Sequence, residues 1–347
     1  MTRKIKVGNI FIGGDAPITV QSMCNTDTAD VDATVGQIIA LENAGCDIVR
    51  VAVNGKEAAK ALSEIKKRTH IPVVADIQYD YKLAVAAVEN GADKVRINPG
   101  NIGDRSKVKY LADFLKERDV PVRIGVNAGS IEKDLKQKPV AEALTISAER
   151  HIAMLENAGF YEIVVSLKSS DVRTSVAAAR AFSAKFDYPL HIGVTEAGTY
   201  QRGLIKNVAG IAPLLLDGIG DTIRISLTAD PVEEVRAGRM LLKSLGLNDD
   251  SEVVSCPTCA RTSIPVSKIA EETEKLLAGT KGLKVAVMGC VVNGIGESEN
   301  ADFGVAGGIG KSAVFENGKI TKTVENNEIS NEIKSLIEKY KGKNEKV

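Results

Sequence analysis

Eight short β-branched runs alternate with helical stretches between about residues 18 and 246, and this alternation constrains the fold more than any other feature. The runs are Ile18–Met23, Asp47–Val53, Pro72–Ile77, Lys94–Asn98, Val122–Val126, Glu162–Lys168, Leu190–Thr195 and Thr222–Thr228. Helical stretches such as Val31–Asn43, Lys82–Asn90 and Pro231–Ser244 follow them. Glycines stand just ahead of several strands, in Asn43-Ala44-Gly45, Asn90-Gly91 and Ala158-Gly159, where helix C-caps place them. Eight strand–helix pairs suit a TIM (β/α)8 barrel better than an open doubly wound sheet. No Gly-x-Gly-x-x-Gly follows the first strand, which argues against a dinucleotide-binding Rossmann unit.

The pattern breaks near residue 249. Residues 1–248 are assigned to the barrel and 249–347 to a small α+β domain. Leu283–Met288 reads as a strand, and Ala313–Phe315 with Lys319–Val324 reads as a hairpin around Asn317-Gly318. Helices are expected over Pro265–Leu277 and Glu328–Tyr340.

That second domain holds Cys256 and Cys259 in Ser255-Cys256-Pro257-Thr258-Cys259, and Cys290 in Gly289-Cys290-Val291-Val292-Asn293. A redox dithiol would leave Cys290 unexplained. A structural zinc site wants four Cys or His ligands, and the domain has no histidine. A [4Fe–4S] cluster takes thiolates and accepts a non-cysteine ligand on its fourth iron, so it is the favoured reading. Glu297 and Glu299 are candidates for that ligand; the Gly294-Ile295-Gly296 turn lets Glu297 fold back toward Cys290, with Glu299 as the fallback. Cys24 and Cys46 read as buried, inert thiols, and His70, His151 and His191 lack metal-ligand spacing.

Barrel chemistry sits at the C-terminal ends of the strands. Five cations fall there on five strands: Arg50, Arg96, Arg123, Lys168 and Arg224. Like charges repel by about 4 kcal/mol per pair at ~4 Å and an effective dielectric of ~20. Asp76 and Glu196 could neutralise only part of such a cluster. A diphosphate ligand is the economical explanation, because arginine forks match phosphate oxygens. Asn98, Asn101, Asn127 and Ser226 are candidates for orienting the rest of a substrate.

Lys plus Arg equal Asp plus Glu at 45 each, so no global field attracts nucleic acid. No apolar run is long enough to cross a membrane, and no signal core opens the chain. Five cysteines without a disulfide framework point to a reducing, cytoplasmic setting.

The chain resembles the bacterial two-domain hydroxymethylbutenyl diphosphate synthase family of the non-mevalonate isoprenoid pathway. The resemblance runs through Val20-Gln21-Ser22-Met23, Asp47-Ile48-Val49-Arg50-Val51, Arg96-Ile97-Asn98-Pro99-Gly100-Asn101-Ile102-Gly103 and Arg123-Ile124-Gly125-Val126-Asn127-Ala128-Gly129-Ser130. It continues through Thr195-Glu196-Ala197-Gly198, Gly220-Asp221-Thr222 and both cysteine motifs. It implies a barrel that binds methylerythritol cyclodiphosphate and an iron–sulfur domain that reduces it. It implies that Arg50, Arg96, Arg123, Lys168 and Arg224 hold the diphosphate with Asn127 and Ser226. Asp76 and Glu196 would lie near the carbon skeleton, Glu196 handling protons, and Cys256, Cys259, Cys290 and Glu297 would ligate the cluster. A flavodoxin or ferredoxin is the implied electron donor. Gln78, Ile295 and Cys24 depart from the family's usual His, Pro and Thr.

A geometric argument adds a head-to-tail homodimer. The eighth helix returns to the barrel bottom, and about 10 linker residues span at most ~35 Å. Capping a neighbour's mouth is easier than folding back along the barrel wall, and the family resemblance implies the same assembly. Two rivals are a barrel lyase forming a Schiff base on Lys168 with a zinc-stabilised tail, and a cluster-based sensor without turnover.

Overall fold

The computed structural model describes residues 1–102, 105–291, 296 and 300–344, and of 99–100 and 342–344 the backbone only. The chain divides into two compact units, Met1–Leu247 and Asn248–Val347.

The first unit opens with a hairpin of β1 (Ile5–Val7) and β2 (Ile10–Ile12). Its Val7 and Ile12 pack on Ile48 and Val74, near the start of two barrel strands. Three-residue strands are too short for a period to register, and the sequence pattern does not reveal them. Eight parallel strands follow: β3 (Thr19–Met23), β4 (Ile48–Ala52), β5 (Val73–Asp76), β6 (Lys94–Ile97), β7 (Val122–Asn127), β8 (Ile163–Lys168), β9 (His191–Ile192) and β10 (Thr222–Ile223). Their order is β8-β7-β6-β5-β4-β3-β10-β9. The ring closes where Val165 of β8 pairs with Leu190, just ahead of β9. There the Val165 N–H donates to the Pro189 carbonyl at 2.9 Å. This is the expected TIM barrel.

Every residue of β8 is buried, as parallel strands covered on both faces require. Four of the barrel helices start on aspartates: Asp30, Asp80, Asp171 and Asp230 each accept a backbone N–H of the first turn. Such a cap is worth about 1 kcal/mol. Gly45 and Gly159 end the helices at φ 92° and 73°, a left-handed turn that carries the chain back into the next strand.

The last two strands are shorter than expected. Gly193 takes φ 154°, and a Cβ on it would lie 2.4 Å from the Arg224 carbonyl oxygen. The two chains close in on each other there. The rung from Arg224 N–H to the Ile192 carbonyl, 3.1 Å long, is the last before they turn into the mouth.

The second unit is a five-stranded sheet, β11 (Glu252–Ser255), β12 (Lys284–Met288), β13 (Phe303–Ala306), β14 (Lys311–Glu316) and β15 (Lys319–Glu325), in that order. The first three strands are parallel, and the last two pair antiparallel. Asn317 and Gly318 make the expected turn with φ 49° and 73°. The helices Val266–Leu277 and Ile329–Asn344 bury Ile269, Leu277, Ile333 and Ile337 against Val285, Val287, Phe303 and Val305. The short strands β11 and β13 leave no readable pattern in the sequence.

Candidate active site

Side chains on a barrel strand point inward every second residue. On β6 this selects Lys94 and Arg96, on β7 Arg123, Gly125 and Asn127, and on β8 Ser166 and Lys168. Of these, Arg96, Arg123, Asn127, Ser166 and Lys168 converge with Met23, Arg50, Asp76, Thr195, Arg224 and Ser226 on a cavity of about 260 Å³ at the strands' C-terminal ends. Lys94 and Gly125 fall outside its lining. All five cations singled out in the sequence line this one cavity, with Asp76, Asn127 and Ser226. Asn98, Asn101 and Glu196 do not line it. Glu196 is exposed, on a backbone held at φ 53°.

The cavity is strongly cationic, and its cations are buried or half-buried. Arg123 is 1% exposed and Lys168 8%. Asp76 braces two arginines: Arg96 Nη1 donates to its Oδ1 at 3.1 Å, and Arg50 Nε lies 3.7 Å from its Oδ2. Burial pushes the Asp76 carboxyl up, but Arg50, Arg96 and Arg123 together outweigh that and hold it below its usual range. Arg50 is brought down to about 10 by burial first, with Arg224 and Arg96 adding to it against Asp76. Burial, then Arg123, Arg224 and Arg50, hold the Lys168 amine well below the ordinary lysine range. Such a cluster can receive an anion.

Several residues of this site are not anticipated by the sequence. Met23 Sδ receives both Nε and Nη2 of Arg50, at 3.1 and 2.8 Å. Asn207 donates to the Ser226 carbonyl at 3.0 Å and accepts its N–H at 3.3 Å, fixing the turn that carries Ser226. Glu234, from the helix after β10, takes the neutralising place expected of Glu196. Its Oε2 lies 3.6 Å from Arg224 Nη2 and accepts from Ser22 Oγ at 3.0 Å, and its Oε1 accepts the Leu227 N–H at 3.0 Å. Glu234→Gln would keep one acceptor but turn an NH2 toward Arg224 or Ser22. The expected cost is about 2–4 kcal/mol, because a charge stays buried without its partner. Urea unfolding measures it; an unchanged midpoint would mean that Arg224 is held by other groups.

In the second unit, Cys256 follows β11 and Cys290 follows β12 by two residues, and these strands pair with Ser255 opposite Val287. The Gly289 N–H donates to Cys256 Sγ at 3.0 Å. Ser263 donates its N–H and its hydroxyl to the Gly289 carbonyl at 2.9 and 3.1 Å. Thr262 Oγ1 accepts the Cys259 N–H at 3.2 Å. The Cys256–Cys259 loop is thereby tied to the loop of Cys290, and a Cβ on Gly289 would meet Thr262 Oγ1 at 2.8 Å.

The three thiols form no disulfide, and Cys259 is exposed. A hydrogen bond from the Arg261 backbone N–H, foremost, lowers the Cys259 thiol from its ordinary value. Unbridged thiols that accept backbone N–H groups fit the thiolate ligands of an iron–sulfur cluster. Among the described residues no ready-made group of three metal ligands is formed. Glu297 and Glu299 lie outside the described residues. Cys24 and Cys46 are buried, and burial pushes both thiols up to about 12, the inert state expected of them.

Comparison with known proteins covers both units. Residues 2–239 match the family model described as the GcpE TIM-barrel domain, and residues 252–339 match that of the GcpE protein C-terminal domain. The 4-hydroxy-3-methylbut-2-en-1-yl diphosphate synthase (flavodoxin) of Ruminiclostridium cellulolyticum is 54% identical over 343 residues, 97% of each chain. The protein of the same name from Geobacter sulfurreducens is 54% identical over 343 residues, again 97% of each. Among solved structures, dihydropteroate synthase from Yersinia pestis superposes with a TM-score of 0.53 at 13% identity, over 71% of this chain and 100% of that one. The enzyme from Xanthomonas albilineans gives 0.51 at 18%, over 70% and 97%. At such identities the likeness shows the barrel fold alone.

Proposed function

The chain belongs to the GcpE family, and from that premise we propose that it converts 2-C-methyl-D-erythritol 2,4-cyclodiphosphate to (E)-4-hydroxy-3-methylbut-2-enyl diphosphate. It is an enzyme of isoprenoid biosynthesis and an oxidoreductase. The conversion balances with two electrons and one proton. The C2–O bond to phosphate breaks, the C3 hydroxyl takes the proton and leaves as water, and C2 and C3 end joined by a double bond.

The observation that carries this reading is the cationic cavity. Its five cations outnumber the two carboxylates that pair with them, Asp76 and Glu234. A doubly charged cyclic diphosphate offsets two of the three unmatched charges. Arg50, Arg96, Arg123, Lys168 and Arg224 hold its oxygens, and Asn127 and Ser226 add neutral hydrogen bonds. Asp76 keeps Arg50 and Arg96 aimed at the ligand and lies near its carbon skeleton. Proton handling at the substrate hydroxyls by Glu196 rests on the family resemblance alone, since its side chain is exposed and outside the lining of the cavity.

Cys256, Cys259 and Cys290 hold a [4Fe–4S] cluster, with Glu297 as the fourth ligand. When bound, that cluster would supply one-electron reduction. A flavodoxin, or a ferredoxin in its place, delivers the two electrons singly. The working unit is a head-to-tail homodimer in the cytoplasm. Unbridged thiols agree with a reducing compartment, and among the described residues no helix is long and apolar enough to cross a membrane. Specific activity that falls on dilution is the expected sign of the dimer.

Anaerobic purification followed by iron, acid-labile sulfide and zinc analysis tests the cofactor. An assay of cyclodiphosphate consumption with reduced flavodoxin tests the reaction. Stoichiometric zinc without sulfide, persisting after iron–sulfur reconstitution, would reject the redox reading. One observation speaks for a lyase instead: the buried Lys168 amine, held well below its ordinary range, is the kind that forms Schiff bases. Borohydride trapping of a substrate on Lys168 would favour that alternative.

A further inference from the structure

TIM-barrel interiors are ordinarily filled with layers of branched apolar side chains. Here the interior below the cavity holds buried polar groups beside the apolar Ile48 and Val74. Lys94 lies two residues below Arg96 on β6, and His191 is the first residue of β9; both are 0% exposed. Among the described residues, neither Lys94 Nζ nor either ring nitrogen of His191 has a hydrogen-bond partner. The same holds for both side-chain amide atoms of Gln21, two residues below Met23, and for Arg123 Nε. Unanswered polar groups at such depth cost free energy, so a chain that keeps them there has a use for them.

The groups facing these two side chains are cationic. Arg123 and Arg50 face Lys94. Lys168, Arg123, Lys94 and Arg50 face His191. The carboxylates of the site are already engaged nearer the mouth, Asp76 with Arg50 and Arg96, and Glu234 with Arg224.

We propose that Lys94 and His191 form a proton-accepting floor under the diphosphate site, positioning the bound anion by gaining positive charge when it arrives over them. This rests on the reading of the cavity as a diphosphate site. Burial first, and then the neighbouring cations, hold the Lys94 amine well below 10.5 and the His191 imidazole well below 6.5 in the free barrel. A dianion overhead offsets the neighbouring cations and raises both. Protons are therefore taken up on binding, in the pH window between the lowered free-state value and the raised bound-state value of each group. Across that window affinity falls as pH rises, by up to about tenfold per pH unit for each proton taken up.

Isothermal titration of the oxidised holoenzyme with the cyclodiphosphate, without an electron donor, tests this. Titrations in two buffers of different ionisation enthalpy count the protons. The parent is expected to take up protons at pH 8, and Lys94→Met to take up fewer, by up to one. The variant's affinity should also depend less steeply on pH, while its Tm is equal or higher because a buried amine is gone. His191→Gln makes the corresponding test at pH 6, and it stands should Lys94→Met fail to fold. A merely structural role would lower Tm and leave the proton count alone. Equal counts in parent and variants at both pH values would overturn the proposal. If the cyclodiphosphate does not bind the parent at all, the diphosphate reading fails instead.

Discussion

Cys290→Ser is expected to leave a folded chain whose turnover of the cyclodiphosphate is lowered by more than about a thousandfold, the scale seen when a group acting as part of a catalytic unit is removed. Cys290 follows β12 by two residues and is only half-buried, and none of the hydrophobic clusters of the second unit includes it. Its loss should therefore leave the sheet intact. Serine offers a hard, protonated oxygen where iron–sulfur clusters take thiolate, so iron and sulfide per chain should fall together. Because the Gly289 N–H reaches Cys256 Sγ and the Gly289 carbonyl anchors Ser263, the neighbouring loops keep their ties whatever occupies position 290. Far-UV circular dichroism should be unchanged while iron, sulfide and activity drop. Cys24→Ser is the matched control: its thiol is buried and inert, and iron content should stay at the parental level. Full iron and activity in Cys290→Ser would remove this cysteine from the ligand set.

The barrel was legible because parallel strands covered on both faces need branched apolar runs, and Ile48-Val49-Arg50-Val51 or Ile163-Val164-Val165 has few other uses. The helix ends were legible for a similar reason, since only glycine turns cheaply into the left-handed region at Gly45 and Gly159. The five cations of the mouth could be named because each stands at or near a strand end. The carboxylates were harder. Glu196 also stands beyond a strand, yet the backbone there carries its side chain into solvent. Glu234 reads as an ordinary acidic residue in a helix first turn. Only the packing of that helix on β3, through Gly238 against Val20, brings it to Ser22 and Arg224. A strand-by-strand count of alternate positions would have found Lys94 below Arg96. A lysine inside a strand more often marks an exposed edge, and nothing local distinguishes the two. In the second unit, Ser263 was silent because its partner, Gly289, is distant in sequence.

Gly125→Ala isolates the placement of Arg96 from everything else in the cavity. Gly125 has no left-handed φ, so alanine is acceptable to the backbone. An added Cβ would nevertheless lie 2.5 Å from Arg96 Nε and 2.9 Å from its Nη2. The guanidinium must move, and it leaves the 3.1 Å hydrogen bond to Asp76 Oδ1. A displacement of about 1 Å in a positioned group costs on the order of 100-fold. The expected result is therefore a fall of about 10²-fold in kcat/KM, carried largely by KM, because on the proposed reading the arginine holds the diphosphate before and after the bonds break. Stability should barely change. Replacing glycine gains about 0.4–1 kcal/mol through the unfolded chain, which offsets part of the loosened Arg96–Asp76 pair. Gly36→Ala, whose Cβ would meet nothing within 4 Å, supplies the control for that gain without touching the cavity. If Gly125→Ala kept the parental kcat/KM, Arg96 would have no part in holding the anion. The glycine would then serve only to let β7 pass under a side chain braced by Asp76. If kcat/KM fell while Tm held, the cavity would be shown to depend on an absent side chain: the empty space over β7 is what allows a guanidinium from β6 to lie across it.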